Sequence, residues 1–190
     1  MCLAFDSLSY RRVLGQFATG ITVVTTTLPT GKPWAMTANS FTSISLDPPI
    51  VLVSVSHGLT TNDAIRRTGA FVVNILRSDQ IELARRYSRR ERPPDQFGDV
   101  TLLKGVTVAP VLDGCLGWVE CQLVDQTEQG DHTVFFGGVE SIGVSERIND
   151  PLLYYNSAYV RIAPESRAKE AGADALDARL VSFDPEAGSR

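Results

Sequence analysis

Along this chain the spacing of apolar and polar positions changes several times, and each change marks an element. Tyr10, Val13, Leu14 and Phe17 fall at i, i+3, i+4 and i+7, one face of a helix, with Asp6 or Ser7 where an N-cap belongs. A short amphipathic helix is predicted there. Gly15 weakens its last turn, and Gly20 separates it from Ile21 to Thr27, a β-branched run with strong strand preference. Pro29-Thr30-Gly31-Lys32 carries turn chemistry and Pro33 to Ala38 returns as a second strand, which predicts a hairpin. Ile50 to Val55 is nearly continuous apolar sequence, the mark of a strand buried on both faces or set in a barrel wall.

Thr60 or Thr61 is placed to cap a helix that runs through Arg67 and stops at Gly69. Ala70 to Leu76 is the next strand. Asp79 and Glu82 then have capping-box spacing and open a helix through about Tyr87. From Ser88 to Gly105 no periodicity survives. Arg89, Arg90, Glu91 and Arg92 precede Pro93-Pro94, so a long surface loop is predicted, its charge run serving either as a solvated face or as a lid or phosphate contact. Two long strand patterns follow, Cys115 to Thr127 and Thr133 to Val144, and Gly137-Gly138 predicts a bulge or a close backbone approach. Pro151 to Tyr155 and Tyr159 to Ile162 complete a domain of residues 1 to 162. Residues 163 to 190 have few large apolar side chains and are expected to form an appendage, partly helical around Ala173 to Leu180 and otherwise poorly ordered. Seven or eight strands with three short helices, and no regular βαβ alternation, point to an antiparallel barrel.

Composition narrows the classes of function. At 190 residues, 43% hydrophobic and 21% charged, the chain has the make-up of one globular domain. A net charge of -4 argues against nucleic acid, whose binding draws most of its affinity from a basic face. Cys2, Cys115 and Cys121 are odd in number and have no close pair spacing, which favours reduced thiols in a cytoplasmic protein. Neither a signal peptide nor a membrane span is predicted. His57 and His132 form no close ligand pair and the cysteines lack CxxC spacing, so no zinc site is expected. No nucleophile elbow, P-loop or dinucleotide fingerprint is present, and a hydrolase or a Rossmann dehydrogenase lacks support.

What remains is a set of polar segments at predicted strand ends. From Thr37 to Ser43 the chain carries four hydroxyls and the Asn39 amide. A buried hydroxyl or amide without a partner costs roughly 1 to 3 kcal/mol, so such a row must pair with backbone, water or a ligand. A serine-rich turn with local side-chain to backbone bonds is the plain alternative. Ser54 to Thr61, Gly130 to His132 and Tyr155 to Tyr159 are the other segments. Thr60, Thr61 and the free N–H groups of the helix they open make an anion cradle.

Phe17 to Thr26, Thr37 to Ser45 with Pro48-Pro49, Gly69 to Leu76, Gly130-Asp131-His132 and Pro151 to Tyr155 together resemble the short-chain flavin reductases that feed two-component monooxygenases. The likeness runs in unbroken order from residue 8 to 162. It implies a mainly β fold, a six-stranded antiparallel split β-barrel with Greek-key features and a few short helices, working as a homodimer with flavin near the subunit interface. By position it implies that Thr37, Ala38, Asn39 and Ser40 cradle the isoalloxazine ring. Ser54, Ser56, Thr60 and Thr61 would serve the ribityl and phosphate, and Arg86 would lie against the phosphate. His132 would stand on the nicotinamide side of the flavin as the catalytic residue, orienting the carboxamide or supplying a proton. Many relatives have Tyr-Arg-Gly where this chain has Tyr155-Asn156-Ser157; the loss of that arginine leaves Tyr155 and Tyr159 as stacking candidates for the dinucleotide. The implied reaction is hydride transfer from NADH or NADPH to FMN or FAD, the reduced flavin diffusing to a monooxygenase. Alternatives on the same fold are an oxidase or oxygenase that holds its flavin tightly, and a non-catalytic flavin-binding module.

Overall fold

The structure is a computed structural model, and it describes residues 5–89, 91, 95–146 and 150–163. Cys2, Arg90, Arg92, Pro93-Pro94 and the helix expected around Ala173 to Leu180 lie outside the described residues. In chain order the elements are α1 (Ser7–Leu14), β1 (Thr19–Gly20), β2 (Thr22–Thr27), β3 (Pro33–Ala38), β4 (Thr42–Leu46), β5 (Pro49–Ser56), α2 (Thr60–Thr68) and β6 (Ala70–Ile75). There follow α3 (Ile81–Ser88), β7 (Leu102–Leu103), β8 (Val111–Leu112), β9 (Gly117–Gln129), β10 (His132–Val144), β11 (Leu153–Tyr155) and β12 (Ala158–Val160).

Seven strands form one antiparallel sheet in the order β3-β2-β6-β9-β10-β5-β4. This sheet rolls up on itself. Val24 and Met36, from the β2–β3 end, share one core with Val51, Val53 and Val55 of β5 and with Phe71, Cys121 and Phe135 between them. Among the described residues no ladder joins β3 to β4 or β5, so the roll is a barrel left open along one seam. The six strands from β3 to β5 make the split barrel, and β4 extends its edge.

A second apolar layer covers the outside of β2. Val23 and Ala35 pack there with Leu76, Leu112 and Leu152 and with Ala84 and Tyr87 of α3. Val23 and Val24 therefore face opposite layers, and both are fully buried. On β5, burial alternates instead: Val51, Val53 and Val55 point inward while Leu52, Ser54 and Ser56 are half-buried. Its continuous apolar sequence thus marks a barrel-wall strand and not one buried on both faces.

The long β9–β10 hairpin shifts register between Phe136 and Gly137. A Cβ on Gly137 would stand 2.5 Å from Phe71 Cζ and 2.6 Å from Cys121 Cβ, so the glycine permits the close approach that its sequence context predicts. Cys115 and Cys121 are free thiols and both are buried.

Two expected caps fail through competition, and a third element, α1, forms as expected but leaves its apolar face open. Leu59, without a side-chain bond, is the N-cap of α2, because the Thr61 hydroxyl accepts from Trp34 Nε1 at 3.1 Å. Gln80 is the N-cap of α3, because Asp79 is held by Arg77 at 2.9 and 3.2 Å. Helix α1 is capped by Asp6, whose Oδ1 accepts from Ser9 N at 2.7 Å, yet its apolar face is uncovered: Val13 and Leu14 are exposed and Phe17 is 76% exposed. Gly69 does end α2 in the left-handed conformation, at φ 69°. The β11–β12 hairpin turns on Asn156 and Ser157, at φ 47° and 63°, a two-residue turn of the kind that suits asparagine. The Asn156 N–H also donates to Gly15 O at 2.8 Å and ties this hairpin to the end of α1.

Candidate functional site

The hydroxyl row after β3 is stitched into the fold. Thr37 Oγ1 donates to Ala84 O at 2.6 Å and joins β3 to α3. Ser40 Oγ donates to Ser54 O at 2.8 Å and accepts from Ser54 N at 3.1 Å, pinning the β3–β4 crossing to β5. Asn39 Nδ2 donates to Thr19 Oγ1 at 3.3 Å, and buried Ala38 accepts from Thr22 Oγ1 at 2.9 Å. These bonds go to backbone or side chains far away in sequence, so the row is not the locally bonded serine turn that was its plain alternative.

Where the barrel is open, between β3 and the segment that follows β5, lies a cleft of about 480 Å³. Trp34, Met36 and Thr37 form one wall, the chain from His57 to Thr61 a second, and Tyr87, Ser88 and Arg89 at the end of α3 a third. Its volume falls in the roughly 300–1,000 Å³ of small-molecule sites. Flat apolar surface from Trp34, Met36 and Leu59 meets hydroxyls from Thr37, Thr60 and Thr61. In the first turn of α2 the Asn62 N–H is bonded to Leu59 O at 2.9 Å, and the partial positive charge of this helix start supports an anion beside Thr60 and Thr61. The donor set fits a planar ring carrying an anionic tail. Smaller hollows of about 350 and 290 Å³, beside Trp118 and under the 102–110 loop, hold none of the residues predicted for the site. Among the described residues, no three His, Cys, Asp or Glu side chains gather to hold a metal ion.

The tip of the β9–β10 hairpin carries a denser polar network. Gly130, at φ 62°, and Asp131 make the turn, and His132 opens β10 in register with Ser56. His132 Nε2 lies 2.8 Å from Ser56 Oγ and Nδ1 lies 2.6 Å from Asp131 Oδ1. Next to it, His57 Nε2 is 2.5 Å from Glu128 Oε2, and Arg66 pairs with the other oxygen of the same carboxylate. Arg66 also donates to Thr133 Oγ1 at 2.7 Å, and Asn62 Nδ2 donates to the same oxygen at 3.0 Å. The Arg66 bond, and then His57, hold the Glu128 carboxyl below its ordinary range; the bond to His132 and the ring's charge do the same for Asp131.

The structure thus gathers Thr37, Thr60 and Thr61 on the cleft and sets Ser40, Ser54 and Ser56 along the adjoining edge of β5. Other predicted residues are placed differently. Arg86 is bound to Asp99 and does not line the cleft, where the basic side chain is Arg89. Asp99 raises the Arg86 guanidinium further above its ordinary value. Tyr159 packs edge-on against Tyr154 with ring centroids 5.4 Å apart, and burial pushes its hydroxyl pKa up. Tyr155 is exposed and donates to Gln16 Oε1 at 3.1 Å, and it pairs across the hairpin with Ala158 while Tyr159 pairs with Tyr154. Sequence reasoning passed over Trp34 and Met36, singled out Arg89 only as part of a charge run, and gave His57 no role. The position of His57 directly after an apolar strand and before a helix start was the available signal. Asp131 and Glu128 stood beside His132 in the predicted turn without being assigned a role.

A rolled antiparallel sheet, open along one seam and lined there by hydroxyls and a helix N-terminus, defines a split-barrel protein of the ligand-binding kind. The flavin reductase like domain model matches residues 14–163, and the chain belongs to that family. It is similar, at 34% identity over 183 residues and 96% of both chains, to the reductase subunit HsaB of a flavin-dependent monooxygenase from Mycobacterium tuberculosis. An NADH-dependent FAD reductase from Streptomyces globisporus is 36% identical over 164 residues, covering 85% of this chain and 88% of its own. Among solved structures, a nitrilotriacetate monooxygenase component B homologue from Mycobacterium thermoresistibile superposes with a TM-score of 0.82. It is 37% identical, over 93% of this chain and 98% of the other.

Proposed function

We propose that this protein is an NADH:flavin oxidoreductase that passes hydride from reduced nicotinamide to FMN or FAD and supplies reduced flavin to a partner monooxygenase. The observation that carries this reading is the cleft at the barrel seam, where flat apolar walls, threonine hydroxyls and the start of α2 meet. Family membership across residues 14–163 and relatives named as NADH-dependent or monooxygenase-serving reductases support it. When bound, the flavin supplies the electron-accepting ring, and the protein supplies proximity and orientation.

Each part of the chain then has a task. Thr37, Ala38, Asn39 and Ser40, held rigid by their bonds to α3, β1, β2 and β5, present main-chain groups and short side chains to one edge of the ring. Thr60 and Thr61 with the first turn of α2 hold the phosphate, and Arg89, in the place first assigned to Arg86, adds positive charge. His132, fixed through Ser56, stands on the nicotinamide side.

The protein works as a homodimer in the cytoplasm. Uncovered apolar side chains on α1, Val13, Leu14 and Phe17, and on the edge strand β4, Ile44 and Leu46, support the dimer; more surface of this kind is exposed than a lone domain needs. The three cysteines without a pairing pattern support the compartment. Among the described residues, no helix is long and apolar enough to cross a membrane.

The test is anaerobic stopped-flow mixing of FMN and FAD against NADH and NADPH. Rapid flavin bleaching with NADH is expected. Absence of flavin-dependent oxidation of either nicotinamide would overturn the reading.

A further inference from the structure

We propose that Asp131 is a positioning residue that sets the tautomer of His132, and through the ring decides whether Ser56 offers bound cofactors a hydrogen-bond donor or an acceptor. Asp131 Oδ1, His132 Nδ1, His132 Nε2 and Ser56 Oγ form one line, with contacts of 2.6 and 2.8 Å. A carboxylate only accepts, so Nδ1 carries a hydrogen in both charge states of the ring. Only Nε2 gains and loses the proton.

The consequence passes to Ser56. With the ring neutral, Nε2 accepts the Ser56 hydroxyl hydrogen, and Ser56 turns its lone pairs outward. With the ring protonated, Nε2–H donates to Ser56 Oγ, and the hydroxyl hydrogen points away from the ring. One proton on His132 therefore inverts the polarity that Ser56 presents. Ser56 is half-buried on the outer side of β5, next to cleft residue His57. A donor there would stabilise the negative charge that a bound flavin gains when it accepts hydride.

The other charged groups at this end of the hairpin are already committed. Glu128 on β9 is shared between His57 and Arg66 of α2, which leaves Asp131 as the carboxylate that governs His132. The turn does not require the carboxylate, since asparagine is equally suited to it, so charge is separable from shape.

The functional half of this inference rests on the reductase reading; the hydrogen-bond line stands on the protein alone. The chain has two histidines, so ¹⁵N-histidine NMR of the full-length protein resolves His132 once a His57→Gln variant has assigned the signals. The parent should show the Nδ1–H tautomer above its ring titration. Asp131→Asn, which keeps the turn, and Asp131→Ala should both move the neutral ring toward the Nε2–H form, while Asp131→Glu should keep the Nδ1–H form. In anaerobic single turnovers the two tautomer-releasing variants should show a flatter dependence of flavin reduction on pH, because Ser56 then presents a donor in both charge states of the ring, with flavin affinity unchanged. An Nε2–H tautomer in the parent, or a tautomer and rate profile unmoved by both substitutions in an enzyme that does reduce flavin, overturns the proposal. A parent that oxidises neither nicotinamide overturns the reductase reading and with it the role of Ser56 in hydride transfer.

Discussion

The polar turn after β3 and the polar tip of the β9–β10 hairpin have similar compositions and opposite uses. In the turn, Thr37 and Ser40 spend their hydroxyls on main-chain groups, Ala84 O and both polar atoms of Ser54. Such bonds do not change with pH and fix the shape of the surroundings. At the tip, Ser56, His57, Arg66, Glu128, Asp131 and His132 bond chiefly to one another, and two carboxylate–histidine contacts can gain or lose charge. A row of hydroxyls is thus not in itself a ligand site; what distinguishes the two regions is whether the partner is backbone or a titrating side chain.

Four substitutions press on that contrast. His132→Ala should have the largest effect, slowing flavin reduction by about 100-fold with flavin binding retained, as measured by anaerobic stopped-flow and by fluorescence titration. A reductive rate equal to the parent's would make the tip structural, like the turn. Ser40→Ala should lower the free energy of unfolding by about 2 kcal/mol in urea titrations, because the half-buried N–H and C=O of Ser54 both lose their partner. Thr37→Val, which deletes one bond and keeps the shape, should cost about 1 kcal/mol by the same measurement. Should Ser40→Ala instead leave stability intact and abolish flavin binding, the turn would belong with the tip.

Glu128→Gln is expected to act least, and only through pH. Arg66 holds the Glu128 carboxyl below its ordinary range, so this pair stabilises the fold above that range and ceases to do so as pH falls through the lowered value. Parent and variant melting temperatures should differ near neutrality and converge in acid. A constant offset at all pH values would mean that packing, not charge, is what the side chain contributes.

Much of the fold was legible because its signals are local. The β2–β3 hairpin, the left-handed Gly69 that ends α2, and the two long strands with a bulge at Gly137 follow from spacing and turn chemistry within a few residues. The strand order was not legible, since pairing β6 with β9 and β10 with β5 depends on which faces find each other after collapse. Capping failed at Thr61 and Asp79 for a related reason. Thr61 and Asp79 each found a stronger side-chain partner, Trp34 and Arg77, that spacing does not reveal. In the candidate site, His132 and the threonines before and in α2 stood out as polar groups at strand ends. Arg86 was misplaced because its partner, Asp99, sits on a loop without periodicity. The apolar face of α1 was read from spacing correctly, but spacing cannot say that none of the described residues buries it.

The burial of the two described cysteines bears on how long such an enzyme lasts at work. Released reduced flavin reacts with dioxygen, so a flavin reductase operates beside a source of peroxide. Peroxide attacks thiolates far faster than thiols. Burial pushes both Cys115 and Cys121 up to about 12, which keeps each protonated and unreactive in the folded chain. Burial, in the barrel core for Cys121 and in the layer outside β2 for Cys115, thereby protects the sulfur from the product of the enzyme's own turnover, and alkylating reagents at neutral pH should react slowly with both until the chain unfolds.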